Sequence, residues 1–395
     1  MDNRVVVTGI GIILPIGKTE QEVIHSIKND VVNFQRSSFR KDVIVSPVED
    51  FDLKAYIKAY KYSRYLPKSW RLTICAVKKA IEDAKISQKI LENSSLFVGI
   101  GPNVDVFDMQ IEQKALGILS ILPNTPSFCI SNLFSIHGEN LTISTACSSS
   151  LQSIGEGFLR IKKGDTKVAL CGGGDSRLSN LGISLYYNAR VLKLIDESQD
   201  VKNSYAPFDK KNMGFVPGEG GAFLVLEELS HAKKRGAKIY GEIIGYSSSM
   251  DGLNPTAPDT SAKYPTKCIE NALEKANIDP NEIDAIFAHG TGTKLNDIME
   301  IKLIKNLFVN KNPYITALKS WIGHLASGCG AAEMAIGIFC LKKNIIPKIR
   351  NLKDPRDDFI PFVIHNTYRQ VNIAIFQSFG FGGQNACIIF KNSVD

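Results

Sequence analysis

Apolar residues run through this chain in short unbroken stretches, several of them ending in glycine. RVVVTGIGII (4–13), SLFVGIGPN (95–103) and KVALCGGGDS (167–176) read as strands. Between them, AVKKAIEDAKI (76–86) has the spacing of an amphipathic helix, and LTISTACSSSLQSIGEGFLRIKKG (141–164) reads as a strand running into a helix. The series then returns. YGEIIGYSSS (240–249), CIENALEKANI (268–278), IDAIFAHGTGT (283–293), YITALKSWIGHLASGCGAAEMAIGIFCLKKN (314–344) and NIAIFQSFGFGG (372–383) follow in the same order. Phe97 and Phe287 stand 190 residues apart at matching places in it. Such a repeat predicts a duplicated unit.

The strands are continuous rather than alternating, which predicts α/β sheets covered by helices on both faces. The join is expected near LEELSHAKKRGA (226–237), a stretch read as helical. This gives an N-terminal half, 1–232, and a C-terminal half, 233–395, sharing one core because no flexible linker separates them. The stretch 104–123 has no clear period and reads as a mobile or interface loop.

Composition narrows the class. The 395 residues are 44% hydrophobic and 22% charged, an ordinary globular balance. No run approaches the roughly 18 apolar residues of a membrane helix, and no membrane insertion is expected. The apolar start lacks the basic leader and cleavage site of a signal peptide. The eight cysteines form no CxxC pair and no cluster with histidine, so neither a metal module nor a disulfide scaffold is expected. A reducing cytoplasm fits. The net charge of +7 is concentrated between residues 54 and 79, where Lys58, Lys61, Arg64, Lys68 and Arg71 lie. That face is either a solvated helical surface or a docking site for an acidic partner. No nucleic-acid fold signature accompanies it. Gly9-Ile10-Gly11 lacks the third glycine of a dinucleotide fingerprint, and the turn at Gly292 and Lys294 lacks the spacing of a phosphate loop.

Candidate chemistry gathers at strand ends. Cys147 lies between a strand and a helix whose Leu151, Ile154, Phe158 and Leu159 mark one buried face. It reads either as a small core cysteine or as a nucleophile whose thiol is lowered by the helix N-terminus. Cys75, Cys129, Cys268, Cys340 and Cys387 sit in apolar contexts and read as core. Of six histidines, His289 follows the strand IDAIFA and His324 follows Gly323. His324 is expected to mirror Cys147 in the repeat. His25, His137, His231 and His365 read as structural or surface. Two imidazoles near one thiol make a nucleophile site with separate hydrogen-bond donors. Lys319 reads either as an exposed lysine at a strand end or as the partner of Glu333 in a buried pair that orients the site. The turn Ser378-Phe379-Gly380-Phe381-Gly382-Gly383 reads either as a tight structural turn or as the source of a backbone N–H that, with that of Cys147, forms an oxyanion hole.

Taken in order, these pieces closely resemble the β-ketoacyl-acyl carrier protein synthases, the elongating ketosynthases of the thiolase superfamily, over essentially the whole chain. The resemblance rests on Thr145 to Ser150, on His289 to Thr293 with Asn296, Asp297 and Glu300, on Lys319-Ser320 and Gly323-His324 with Glu333, and on Ser378 to Gly383. It implies a five-layered αβαβα fold and a decarboxylative Claisen condensation. Cys147 would carry the acyl chain. His289 and His324 would assist decarboxylation of a malonyl-carrier protein. Lys319 would hold His324, supported by Glu333, with Glu300 and Asp297 also supporting. Phe381 would gate the acyl pocket and help hold the oxyanion. Thr291 and Thr293 would bind the pantetheine arm, the phosphopantetheine of the carrier protein being a substrate carrier rather than a cofactor of this chain. The loop from Asp251 to Pro258 looks like a second gate. The basic residues 58–71 would meet the acyl carrier protein. A dimer is implied, either of like chains or with a chain-length-factor subunit.

The chain departs from the family pattern at Asn212-Met213, where Arg-Asp is usual, at Gln384, where Thr is common, and at Ser327, where Gly is common. The stretch 104–123 is also short. These departures point from housekeeping fatty acid synthesis towards a specialised polyketide or polyene pathway. A non-catalytic chain-length-factor role is the alternative, but such subunits usually lack the nucleophile. A degradative thiolase would want a second cysteine near the C-terminal glycine turn, and Cys387 lies beyond it.

Overall fold

The computed structural model describes residues 2–311 and 313–394. Ten strands form one hydrogen-bonded sheet made of two five-stranded halves. In the first half Val5–Ile13 pairs antiparallel with Glu219–Glu228, which pairs antiparallel with Val168–Ser176; Ser95–Gly99 and Asn140–Ile143 then follow in parallel. The second half repeats those directions. Gly241–Met250 pairs antiparallel with Gln384–Lys391, which pairs antiparallel with Ile373–Gly380, followed in parallel by Ala285–Phe287 and Tyr314–Thr316. The halves are stitched by a short antiparallel contact, Val5 to Val7 against Ile243 to Gly241.

Helices fill the layers. Ser149–Lys163 and Cys329–Leu341 pack on each other and touch strands of both halves, so they form the middle layer. Lys68–Ala84 covers the outer face of the first half, and Lys263–Ala276 with Lys294–Leu307 that of the second. The result is the α/β, five-layered αβαβα thiolase arrangement expected from the duplicated pattern. Every residue of Val5–Ile13 and of Val168–Ser176 is buried, as strands covered on both faces require.

The middle position explains a difference from the sequence reading. Ser149–Lys163 has no single buried face. Its Leu151, Ile154 and Phe158 are buried, but so are Ser150, Ser153, Gly155 and Gly157. A Cβ on Gly155 would sit 2.1 Å from the Tyr246 ring, and one on Gly157 2.1 Å from Cys171 Sγ. Small residues let this helix be gripped from both sides. A second difference lies at the join. Residues 226–228 finish a strand, and the helix is only Leu229–Lys234. The stretch 104–123 contains two short 3₁₀ turns, Ile111–Gln113 and Gly117–Ser120. No helix among the described residues is long and apolar enough to cross a membrane.

Candidate active site

Cys147 stands in a tight 3₁₀ turn, Ala146–Ser148, immediately before helix Ser149–Lys163. The turn is strained: Ala146 has φ of 51°, a left-handed conformation that a residue with a Cβ adopts at a cost. The turn is held by Ser149 Oγ, which donates to Ala146 O at 2.6 Å and accepts from Thr145 N at 2.9 Å. The hairpin end of Ile373–Gly380 presses against it. Gly380 must be glycine there, because a Cβ would lie 2.9 Å from Thr145 O and 3.0 Å from Cys147 N. Ser378 Oγ donates to Cys147 O at 2.9 Å.

The companion turn in the second half is Ala326–Gly328, before helix Cys329–Leu341, with Ala326 at φ 43°. Ala326 therefore matches Ala146, and Ser327, not His324, is the counterpart of Cys147. His324 lies three residues earlier, and it reaches the site because its backbone is tied across the halves. His324 N donates to Val216 O at 2.7 Å, and Gly218 N donates to His324 O at 2.9 Å.

Cys147 Sγ and a ring nitrogen of each of His289 and His324 lie within 4.8 Å of one another. The two imidazoles meet edge to face, centroids 5.5 Å apart at 88°. Three such donors are a set that a cation can use, but the Lys319 ammonium, 3.0 Å from His289 Nδ1, puts a positive charge against one. Lys319 is fully buried and also donates to His289 O at 2.5 Å and to Glu333 Oε1 at 2.7 Å. Lys319 thus holds His289. It makes no such contact with His324, whose Nδ1 instead accepts from Ala326 N at 3.1 Å and lies 3.0 Å from Cys329 Sγ. Cys329 had no signal in the sequence, since its role depends on the turn that brings it back to His324.

Electrostatics follow from this packing. Burial, with Lys319 adding, holds both imidazoles well below the usual histidine range, so both are neutral. Each has its Nδ1 engaged by a donor, which places the proton on Nε2, a tautomer assigned from the hydrogen bonds. Burial pulls the Lys319 ammonium down, but Glu333, Cys329 and Glu300 together raise it by more, and Lys319 stays charged. Cys147 differs from the sequence reading. Burial pushes its thiol up to about 11, despite the pull of Lys319 and of the Phe381 backbone N–H on the sulfur. Burial outweighs these pulls, and the helix end does not make the sulfur a resting anion.

Glu300 and Asp297 shape the loop that carries His289. Glu300 accepts from His289 N and Gly290 N, both at 2.7 Å, and from Asn296 and Gln377 side chains. Asp297 accepts from Gly292 N at 3.1 Å and Phe208 N at 2.8 Å, and burial beside Glu300 pushes it up to about 7. Asn212, at one departure from the family pattern, is buried; its Nδ2 donates to Gly214 O and Gly292 O at 2.8 Å each.

Two cavities meet at Cys147, with His324, Phe215 and Phe381 lining both. The larger, about 340 Å³, holds His289, Thr291 and Thr293 in its wall, and Thr256 to Pro258 belong to it. At its rim stand exposed Arg190, Met213, Lys294 and Leu295. The smaller, about 240 Å³, lies on the other side and is lined by Asp175 and Arg177, which sequence reasoning missed. Their signal was there: charged residues at the carboxyl end of a buried strand, where sites form in α/β sheets.

The basic stretch is only partly a surface. Lys58, Lys61 and Arg64 are exposed. Lys68 is engaged by the buried carboxylate of Glu219, and Arg71 donates to Leu66 O at 2.7 Å and Ser63 O at 3.1 Å. These two are structural brackets, committed to internal acceptors.

Comparison with known proteins agrees with this geometry. Residues 2–232 match the Beta-ketoacyl synthase, N-terminal domain, and residues 240–353 its C-terminal domain. The chain is 32% identical to 3-oxoacyl-[acyl-carrier-protein] synthase 2 of Synechocystis sp., over 98% of each chain. It is also 32% identical to 3-oxoacyl-[acyl-carrier-protein] synthase 1 of Buchnera aphidicola, covering 98% of this chain and 99% of that one. Among solved structures, a β-ketoacyl synthase from Burkholderia phymatum superposes with a TM-score of 0.90 at 26% identity, over 99% of this chain and 100% of that one. The ishigamide ketosynthase/chain length factor superposes with a TM-score of 0.91 at 26% identity over the whole of both chains. The chain belongs to the β-ketoacyl synthase family.

Proposed function

We propose that this protein condenses an acyl chain carried on Cys147 with a malonyl group carried on an acyl carrier protein. The observation that supports it most is the convergence of one thiol and two neutral, Nε2-protonated imidazoles at the meeting of two cavities. The larger cavity admits the phosphopantetheine arm past Thr291 and Thr293. The Cys147 sulfur attacks the thioester carbonyl, the bond to the pantetheine sulfur breaks, and the Cys147 proton goes to that departing sulfur. Neither imidazole need accept it, since both already hold a proton on the facing nitrogen. Backbone N–H groups of Cys147 and Phe381 receive the transient oxyanion. Malonyl-carrier protein then loses carbon dioxide. The enolate oxygen is held by the Nε2–H groups of His289 and His324, and its carbon attacks the acyl-Cys147 carbonyl. The C–S bond breaks, the Cys147 sulfur leaves as a thiolate that takes a proton from solvent, and a β-ketoacyl product two carbons longer stays on the carrier protein.

Lys319, Glu333, Glu300 and Asp297 are positioning residues in this reading. Phe381, in the wall of both cavities, gates the smaller one. Lys58, Lys61 and Arg64, with Arg190 and Lys294 at the rim, meet the acidic carrier protein. The division at 232/233 belongs to the same reading, supported by the repeated strand order on either side of Leu229–Lys234. A dimer is supported by the free edge of strand Asn140–Ile143 and by exposed Phe107, Ile118, Ile121 and Phe128. The product serves a specialised polyketide or polyene pathway, and the reaction runs in the cytoplasm. Supplying acyl- and malonyl-carrier protein tests the reading: wild-type protein forms the β-ketoacyl product, and Cys147→Ala forms none. Elongation by the alanine variant, or its absence in the wild type, overturns it.

A further inference from the structure

The smaller cavity is not a hydrocarbon sleeve. Cys147 and Phe381 line it, but so do Asp175, Arg177, Tyr186 and Ser327. Arg177 is 9% exposed and carries a full charge beside the reacting sulfur. The two members of its ion pair are unequally satisfied. Asp175 accepts from Ser176 N at 2.8 Å, Ser327 Oγ at 2.8 Å, Ser327 N at 3.3 Å and Arg177 Nη2 at 3.0 Å. Among the described residues the guanidinium has only that one acceptor, and its buried Nε has no partner. Tyr186 stands edge-on to Phe215, centroids 5.1 Å apart, and burial keeps its hydroxyl protonated and able to donate.

The cavity wall therefore has surplus donors, while its one carboxylate is saturated. A buried donor left unpaired is costly, so the site favours whatever brings it an acceptor. Because Asp175 already neutralises Arg177, the acceptor fits best as an uncharged oxygen. We propose that Arg177 and Tyr186 make the smaller cavity selective for acyl chains bearing a carbonyl or hydroxyl oxygen, over plain alkyl chains of equal length. This rests on the ketosynthase reading and names its substrate class.

The test compares initial rates of Cys147 acylation, read by intact mass, from carrier-protein thioesters of matched length, one alkyl and one oxygenated along the chain. Wild-type protein should prefer the oxygenated chain by about tenfold or more, the weight of one unpaired buried donor. Arg177→Met should bring the preference to near unity by raising the alkyl rate. Because that variant strands Asp175, the double variant Asp175→Asn/Arg177→Met is run beside it and should behave alike. Equal rates in the wild type, an alkyl preference, or a preference that survives both variants would overturn the proposal. Stronger acylation by a chain ending in carboxylate would overturn the uncharged-oxygen assignment. Failure of the wild type to accept any thioester would instead overturn the ketosynthase reading, and this proposal with it.

Discussion

Lys319 Nζ donates to His289 Nδ1 at 3.0 Å, and that contact fixes which nitrogen of His289 faces the thiol as a donor. With His324 Nδ1 likewise occupied, both rings work as neutral donors. Their acid limb therefore lies well below the ordinary histidine value. The rate of malonyl decarboxylation should stay flat between pH 6 and 8, with no inflection near the usual value of about 6.5. The sign for stability is set by the same shift. The unfolded chain binds protons at these histidines before the folded one does, so stability is full above about 6.5 and falls as the pH drops below it. A pH–rate profile showing a histidine limb near 6.5 would contradict the neutral assignment.

His324→Asn keeps a donor near the place of Nε2–H, whereas His324→Ala removes it. Losing one preorganised donor costs roughly 10²–10³ in rate. The alanine variant should lose decarboxylation on that scale and the asparagine variant clearly less. Equal losses in both would show that His324 acts through its basicity instead.

Cys147 should behave as a protected thiol. With its thiol pushed up to about 11, alkylation by iodoacetamide should climb steadily from pH 7 to 10, about tenfold per pH unit. A rate already level by pH 8 would show that the sulfur is held as an anion.

Charge at the cavity mouth should matter more than charge on the outer helix. Reversing Arg190 and Lys294 together should raise KM for carrier-protein substrates and leave kcat within about twofold, an effect that weakens with salt. Lys68→Glu should instead lower the melting temperature, since it places two carboxylates together at buried Glu219. An unchanged KM at low ionic strength for the double reversal would reject the mouth as the docking rim.

Much of this architecture was legible because it depends on local pattern. Continuous apolar runs announced strands buried on both faces, and the repeat announced two like halves. Cys147, His289 and His324 stood out at strand ends. What stayed hidden depends on partners distant in sequence. Glu219–Glu228 was obscured as a strand by buried carboxylates: Glu219 is neutralised by Lys68, and Glu227 accepts from Arg235, His231 and Thr8. Taken alone, LEEL reads as helix. The pairing of Cys147 with Ser327 was missed because Gly323-His324 looked like the start of the companion helix, whereas the chain makes an extra turn first. The resemblance implied that Lys319 holds His324, yet its short helix, Lys319–Ile322, aims it at His289.

The proposed condensation turns on the sulfur of Cys147. Its most direct test is mass spectrometry of the peptide containing Cys147 after acyl-carrier protein alone, and again after malonyl-carrier protein is added. The acyl mass should appear on Cys147 in the first sample and vanish in the second as a carrier-bound β-keto chain two carbons longer appears. An acyl group on another residue, or one that stays on Cys147 while product forms, would contradict it.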